Sequence, residues 1–327
     1  MNVPVVSILI PVYNVSDFIE RCAHSLFQQT LNDIEYVFVN DCSTDDSIEK
    51  LQQIIEQYPE RKPAVKIIHH KKNRGTSASR QTAIDNSTGK YIQFVDNDDW
   101  LELDMTESLY NKAVKEDADI VVCDYVAEKK NSTEYHPDYV PANQSDYFHC
   151  MMEAKCHRSL WTKLIVRRLL ELPDCKFNEK LNLADDQLVT ICLYYYAQKI
   201  VHVKKTFYHY NRINVNAQTY SKSNWHYDNI ILFHKLVEDF LSSKGLYEKY
   251  KANVDCSKVW LKTDLFLKTK NSKLRKQYAH IYHDIELKYL NDLRFGEKLI
   301  IIFTHFKLHF LADWTIRLIR WKNKKHQ

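Results

Sequence analysis

Asp96-Asn97-Asp98-Asp99 places three carboxylates within four residues. Such a group repels itself unless a cation sits among its oxygens. Oxygen-only ligands suit Mg²⁺ or Mn²⁺, ions that keep positions open for phosphate oxygens. The plain alternative is a solvated acidic turn that caps the next helix. A second carboxylate centre, Asp185-Asp186, opens the helix-like run Gln187 to Tyr194. There the plain alternative is helix capping by Asp, which is common and stabilising.

The elements around the first acidic cluster decide between its two readings. Val5 to Pro11 is a continuous apolar run, as a strand buried on both faces requires. Strands are also predicted at Ile34 to Val39, Val65 to Ile68, Tyr91 to Val95 and Ile120 to Cys123. Helices fall between them at Asp17 to Gln28, Asp46 to Tyr58, Thr76 to Asn86 and Met105 to Asp117. Asp17 is expected to cap the first, and Thr88-Gly89 to end the third. This alternation implies right-handed crossovers and a mostly parallel sheet with helices on both faces. Such sheets bind ligands beyond the carboxyl ends of their strands. Tyr13-Asn14, Asn40 to Asp46, Asn73-Arg74-Gly75 and Asp96 to Asp99 all fall there. Four polar loops on one rim make a site, and the acidic cluster belongs to it.

Composition removes several function classes. A net charge of +4 over 327 residues is no basic face for nucleic acid. With four glycines in the chain, neither a Gly-x-Gly-x-x-Gly nor a Walker loop is present, against a dinucleotide or ATP site. The eight cysteines are scattered, and His149-Cys150 with Cys156-His157 matches no common zinc spacing. They are expected to be reduced thiols, most of them buried, in a cytosolic protein. The N-terminus carries no basic-then-apolar leader, so no signal peptide is expected.

Four blocks, taken together, resemble the family 2 glycosyltransferases of the GT-A fold. They are Ser7 to Asn14; Val39 to Ser47; Asn73-Arg74-Gly75 with Ser79-Arg80; and Gly89 to Trp100. They occur in family order and spacing across about the first 125 residues. The likeness continues more weakly to about residue 215. The resemblance implies an inverting enzyme that moves a sugar from a UDP-sugar to a glycan or lipid-linked glycan acceptor in surface polysaccharide biosynthesis. It implies that Pro11, Val12 and Tyr13 line the nucleoside and that Asp41 bonds the uracil edge. Asn73 and Asn97 would face the nucleotide-sugar, and Arg80 the phosphates. Asp98, with Asp96, would hold the metal, and Asp96 would also reach the ribose. Asp186 takes the place of the family's catalytic base, with Asp185 standing where the family usually has Glu. Cys42 stands where the family more often has glycine, which constrains that turn. Trp161-Thr162-Lys163-Leu164 and Tyr208-His209-Tyr210 echo later family blocks. Lys163 reads as a solvated lysine or a donor or acceptor contact, and His209 as a residue near the diphosphate or, more plainly, a partly buried histidine with an ordinary hydrogen bond. The family's serine after that second block is missing from Asn214 to Gln218.

The domain reading is a catalytic domain over 1–215, divided near 125 into nucleotide-sugar and acceptor parts, and a helical extension over 216–327. Asn131 to Ser145 reads as a loop. Ile230, Phe233, Val237, Phe240 and Leu241 repeat at helical spacing before Gly245. Leu299 to Trp321 reads as one basic, aromatic helix, followed by Lys322, Lys324 and Lys325. Its charges are too frequent for a membrane span, and the pattern suits peripheral contact with an anionic membrane surface. Packing on the catalytic domain and dimer contact are the alternatives. The rival to the enzyme is a non-catalytic nucleotide-sugar-binding scaffold. A sugar nucleotidyltransferase would need a Gly-rich N-terminal loop, which Val12 to Val15 is not.

Overall fold

The computed structural model describes residues 4–214 and 224–325, and divides the chain into units of residues 1–215 and 216–327. Residues 215–223 and the final two lie outside the described part. Most of the missing-serine segment, Val215 to Gln218, falls there, as do the Lys324 and Lys325 side chains.

In the first unit the expected alternation is present. Strands β1 (Val6–Val12), β2 (Ile34–Asn40), β3 (Val65–His69) and β4 (Tyr91–Phe94) are joined by helices α1 (Ile19–Phe27), α2 (Ser47–Glu56) and α3 (Thr76–Asp85). The short β5 (Trp100–Leu101) leads into α4 (Met105–Glu116), then β6 (Ile120–Lys129) and β7 (Ser132–His136). After α5 (Tyr147–Met152) come β8 (Lys163–Val166), α6 (Arg167–Leu170), α7 (Asp185–Tyr196) and β9 (Ile200–Asn211). The sheet runs β3-β2-β1-β4-β8-β6-β9-β5, with β7 beside β6. β1 pairs in parallel with β2 and β4, β2 with β3, and β6 with β9. β8 enters antiparallel between β4 and β6. The architecture is thus α/β, with a mostly parallel sheet. Val6, Ile8, Leu9, Ile10 and Val12 are all fully buried, as a central strand covered on both faces requires.

The structure departs from the sequence reading in a few places, each with a local cause. α1 starts at Ile19, and Asp17 does not cap it, because the Phe18 and Ile19 amides bond back to the Val15 carbonyl. Gly89 is not a helix stop. A Cβ there would lie 2.5 Å from Ser7 Oγ, so its role is close approach to β1. Residues 132–136, read as loop, form β7 by pairing with β6. Their side chains are mostly exposed, so no apolar pattern marked them as strand. Cys150 and Cys156, read as reduced thiols, are paired as a disulfide six residues apart.

The second unit is helical, as expected: α8 (Asn224–Ser243), α9 (Tyr247–Lys268), α10 (Ser272–Gln277), α11 (Phe295–His305) and α12 (His309–Lys325). Ile230, Phe233, Val237, Phe240 and Leu241 are buried on α8. Lys262 is wholly buried, paired with Glu286 and donating to the carbonyls of Ala279 and Ile281 at 2.8 Å. The segment read as a single basic helix is two. It breaks after His305, where Lys307 adopts φ +58° and the Leu308 amide returns to the Phe303 carbonyl at 2.7 Å.

Candidate active site

β1, β2, β3 and β4 all deliver their carboxyl ends to one rim, and the polar loops begin there. At the end of β1, Pro11 and Val12 are buried strand residues and Tyr13 is 46% exposed just beyond them. Asn97 Nδ2 donates to the Pro11 carbonyl at 2.8 Å, so the acidic loop is pinned to that strand end. Asp41 ends up buried. Its carboxylate accepts from the amides of Arg74 and Gly75 at 2.8 and 2.7 Å and contacts His70 Nδ1 at 2.7 Å. It therefore shapes the loop that carries Asn73, which is itself exposed. Cys42 adopts φ +65°, the left-handed region where glycine is at ease, which is the constraint expected of a cysteine at that turn.

The three acids after β4 have different fates. Asp99 turns inward: Tyr208 Oη donates to it at 2.6 Å and the Asn211 amide at 2.7 Å. Tyr208 Oη in turn accepts the Asp96 amide at 3.1 Å, and Trp161 stacks on the Tyr208 ring at 4.4 Å. Asp99 thus fastens the loop, while Asp96 and Asp98 remain partly open. Burial, together with the neighbouring Asp96 charge, pushes the Asp98 carboxyl up to about 6, although an Asn214 amide donating at 2.8 Å pulls the other way.

Arg80 links this loop to the second carboxylate centre. Its guanidinium is 6% exposed and donates to Asp96 at 2.9 Å and to Asp185 at 2.7 Å. Burial opposes its charge, but Asp185, Asp96 and Asp186 outweigh burial and hold it firmly protonated. Its Nε is buried with no hydrogen-bond partner among the described residues. Asp185 and Asp186 are the first two residues of α7, not its cap. The cap position is Ala184, in the left-handed region at φ +65°. Asp186 is partly buried and accepts the Gln187 amide at 2.8 Å. Burial, then Asp185 and Asp96, push its carboxyl up to about 7 against the pull of Arg80 and Gln187.

The approach to α7 is fastened to the other rim loops. Ser77 bonds the Leu181 carbonyl and the Asn182 side chain, and Arg74 pairs with Glu179. Gly75, at φ +87°, is required here, because a Cβ would lie 2.0 Å from Asn182 Oδ1. Hydrogen bonds therefore join Pro11 to Asn97, Asp96 to Arg80 to Asp185, and Asp41 to the 74–75 loop. Tyr13 and Asn73 stand on the rim outside that network. Asn214 carried no sequence signal of its contact with Asp98, because it lies past the last recognisable block.

One side reading needs correction and another takes its plainer form. Lys163 is not a solvated lysine. It is wholly buried and donates to the carbonyls of His157 and Ser159 at 2.9 and 2.7 Å. His209 lies between Glu102 and Glu128, each at 2.8 Å, and stacks on Trp100. This is the ordinary bonded histidine of the plainer reading.

An all-carboxylate donor set fits a hard divalent cation. Among the described residues no cationic side chain pairs with Asp98, and burial first, then the Asp96 charge, raises its proton affinity.

Comparison with known proteins bears on the family and the fold. The profile of glycosyl transferase family 2 matches residues 7–171. The chain is 31% identical over 264 residues to the putative glycosyltransferase EpsH of Bacillus subtilis (strain 168), covering 78% of this chain and 74% of that protein. The crystal structure of S. aureus TarS 1–349 in complex with UDP superposes with a TM-score of 0.66 at 18% identity, covering 97% of this chain and 91% of that one. The mannosyltransferase PcManGT from Pyrobaculum calidifontis, in complex with GDP-Man and Mn²⁺, gives a TM-score of 0.50 at 14% identity over 97% of this chain and 86% of its own. With a family profile across half its length and a relative 31% identical over 78% of it, the chain belongs to glycosyl transferase family 2.

Proposed function

We propose that the protein is an inverting, metal-dependent hexosyltransferase that moves a sugar from a UDP-sugar to a glycan or lipid-linked glycan acceptor. It would serve surface polysaccharide biosynthesis at the inner face of the cytoplasmic membrane. One observation carries the reading: Arg80 is buried between Asp96 and Asp185 and ties the diphosphate end of the rim to the helix that presents Asp186. A scaffold that only held a nucleotide would need the first half of that bridge and not the second. UDP as the nucleotide rests on Asp41 at the nucleoside end and on the UDP complex of the TarS neighbour.

Within this reading Pro11, Val12, Tyr13 and Asp41 frame the base and ribose, with Asn73 and Asn97 at the edge of the donor. Asp98 with Asp96 would hold Mn²⁺ or Mg²⁺. When bound, the ion neutralises charge on the leaving diphosphate. Asp186 accepts the proton of the attacking acceptor hydroxyl, and a carboxyl held up to about 7 is well matched to that task near neutral pH. Asp185 positions it by anchoring Arg80. Attack by a hydroxyl on the face opposite the diphosphate inverts the anomeric carbon as the glycosidic bond forms and UDP leaves.

The test is calorimetric titration of UDP with Mn²⁺ and again with EDTA. Binding should be largely lost with EDTA and in Asp98→Asn. UDP release from UDP-sugars with an acceptor extract should then depend on Asp186. Absence of binding in both conditions would sink the UDP-transferase reading.

A further inference from the structure

α12 carries large aromatics on the side that faces away from its packing. Phe310, Trp314 and Trp321 are 72%, 61% and 55% exposed. Positions 310, 314, 317 and 321 fall on one line along a helix, and Arg317 takes the third. The opposite face is already used: Ala312, Thr315 and Ile316 are buried, with α11 and α9 packed against the helix. The helix is therefore apolar on two sides, and the second of them is exposed at Phe310 and Trp314 and half-exposed at Trp321. Phe306, 61% exposed in the turn before α12, extends the same apolar surface. Contiguous exposed aromatics of this kind mark an interaction surface.

Charge decides what covers it. Lys307, Arg317 and Lys322 are exposed along the stripe. The acid of α12, Asp313, is paired with Arg275. A second copy laid on the same stripe would set these cations against their own kind, with no exposed acid of α12 to answer them. No described helix is long and apolar enough to cross a membrane.

We propose that the stripe Phe310, Trp314, Arg317 and Trp321 lies flat in the interfacial layer of an anionic lipid bilayer. Tryptophan and phenylalanine rings settle at the headgroup–acyl boundary, while arginine and lysine reach up to lipid phosphates. The break at Lys307 gives α12 a direction separate from α11, so its stripe can lie flat by itself. Attachment does not require the enzyme reading; only its purpose, access to a lipid-linked acceptor, rests on it.

The experiment is co-sedimentation of the full chain with vesicles of phosphatidylcholine alone or mixed with phosphatidylglycerol, at low and high salt. Binding should be at least about tenfold stronger to the anionic vesicles and should weaken with salt. Phe310→Ser/Trp314→Ser/Trp321→Ser should abolish it. Arg317→Glu/Lys322→Glu should remove the preference for anionic lipid. These residues are exposed, so both variants should keep the thermal melt and the UDP titration of the parent chain. Equal sedimentation of parent and aromatic variant would overturn the proposal. So would self-association in ultracentrifugation that the same three substitutions abolish, since a second copy would then be the occupant. Vesicle binding without UDP binding would sink the donor reading and leave the surface standing.

Discussion

At the scale of single residues, Asp186 and Arg80 make opposite demands on their surroundings. A base works deprotonated, and burial with Asp185 and Asp96 raises the Asp186 carboxyl to about 7. Activity should therefore be full above about pH 7 and fall about tenfold per unit below it. An acidic limb of kcat/KM centred near an ordinary aspartate value would contradict the assignment. Asp186→Asn should lower kcat by roughly 10²–10⁴ with UDP affinity unchanged in calorimetry. Arg80→Met removes the cation between the buried Asp185 and the partly open Asp96. We expect a loss of about 3–5 kcal/mol in denaturant unfolding, together with loss of activity. The carboxylates themselves were legible in the sequence, because acid clusters at strand ends are rare and bear charge that must be answered. The Arg80 bridge was not, since a contact between residues 105 apart in sequence leaves no local signal. The same holds for Asn214 on Asp98 and for Tyr208 on Asp99.

At the scale of elements, local patterns were read well where burial is two-sided and poorly where it is not. β1 was legible as a continuous apolar run, and β2 as a strand in spite of Glu35. β7 was not, because pairing with β6 rather than side-chain burial makes it a strand. The link from β2 to the turn before β4 shows how much a single buried acid can fix. Glu35 accepts from Ser7 Oγ at 2.6 Å, from the Gly89 amide at 3.0 Å and from Lys66 at 3.0 Å. Burial raises its pKa, but these bonds and one from Thr88 prevail and bring it down to about 2. A depressed carboxylate stabilises the fold above its ordinary titration range, and that stability is lost as pH falls toward 2. Glu35→Gln should cost on the order of 3 kcal/mol at neutral pH and flatten the acid-induced loss of stability. A parallel pH dependence in parent and variant would refute this role. Gly75→Ala should destabilise by about 1–3 kcal/mol, from left-handed backbone and the collision with Asn182, and should loosen the loop held by Asp41. Thermal melting and UDP titration of that variant measure the two effects separately.

For the whole molecule, every residue proposed to bind donor or cation precedes the second unit. A fragment ending at residue 215 should bind UDP within about threefold of the full chain, a free-energy difference below 1 kcal/mol. Loss of binding would assign part of the donor site to the later residues. The strand order has a consequence for synthesis. β4 ends at Phe94, yet its second neighbour, β8, begins at Lys163, and β6 awaits β9 until Asn211. At about 5–20 residues per second, the ribosome takes on the order of ten seconds to pass from β4 to the end of β9. Through that interval the nascent chain carries unpaired strand edges, which are templates for wrong partners. The time those edges wait is thus a risk separate from the finished protein's stability, and slow codons between β4 and β9 should lower the soluble yield without changing a single residue.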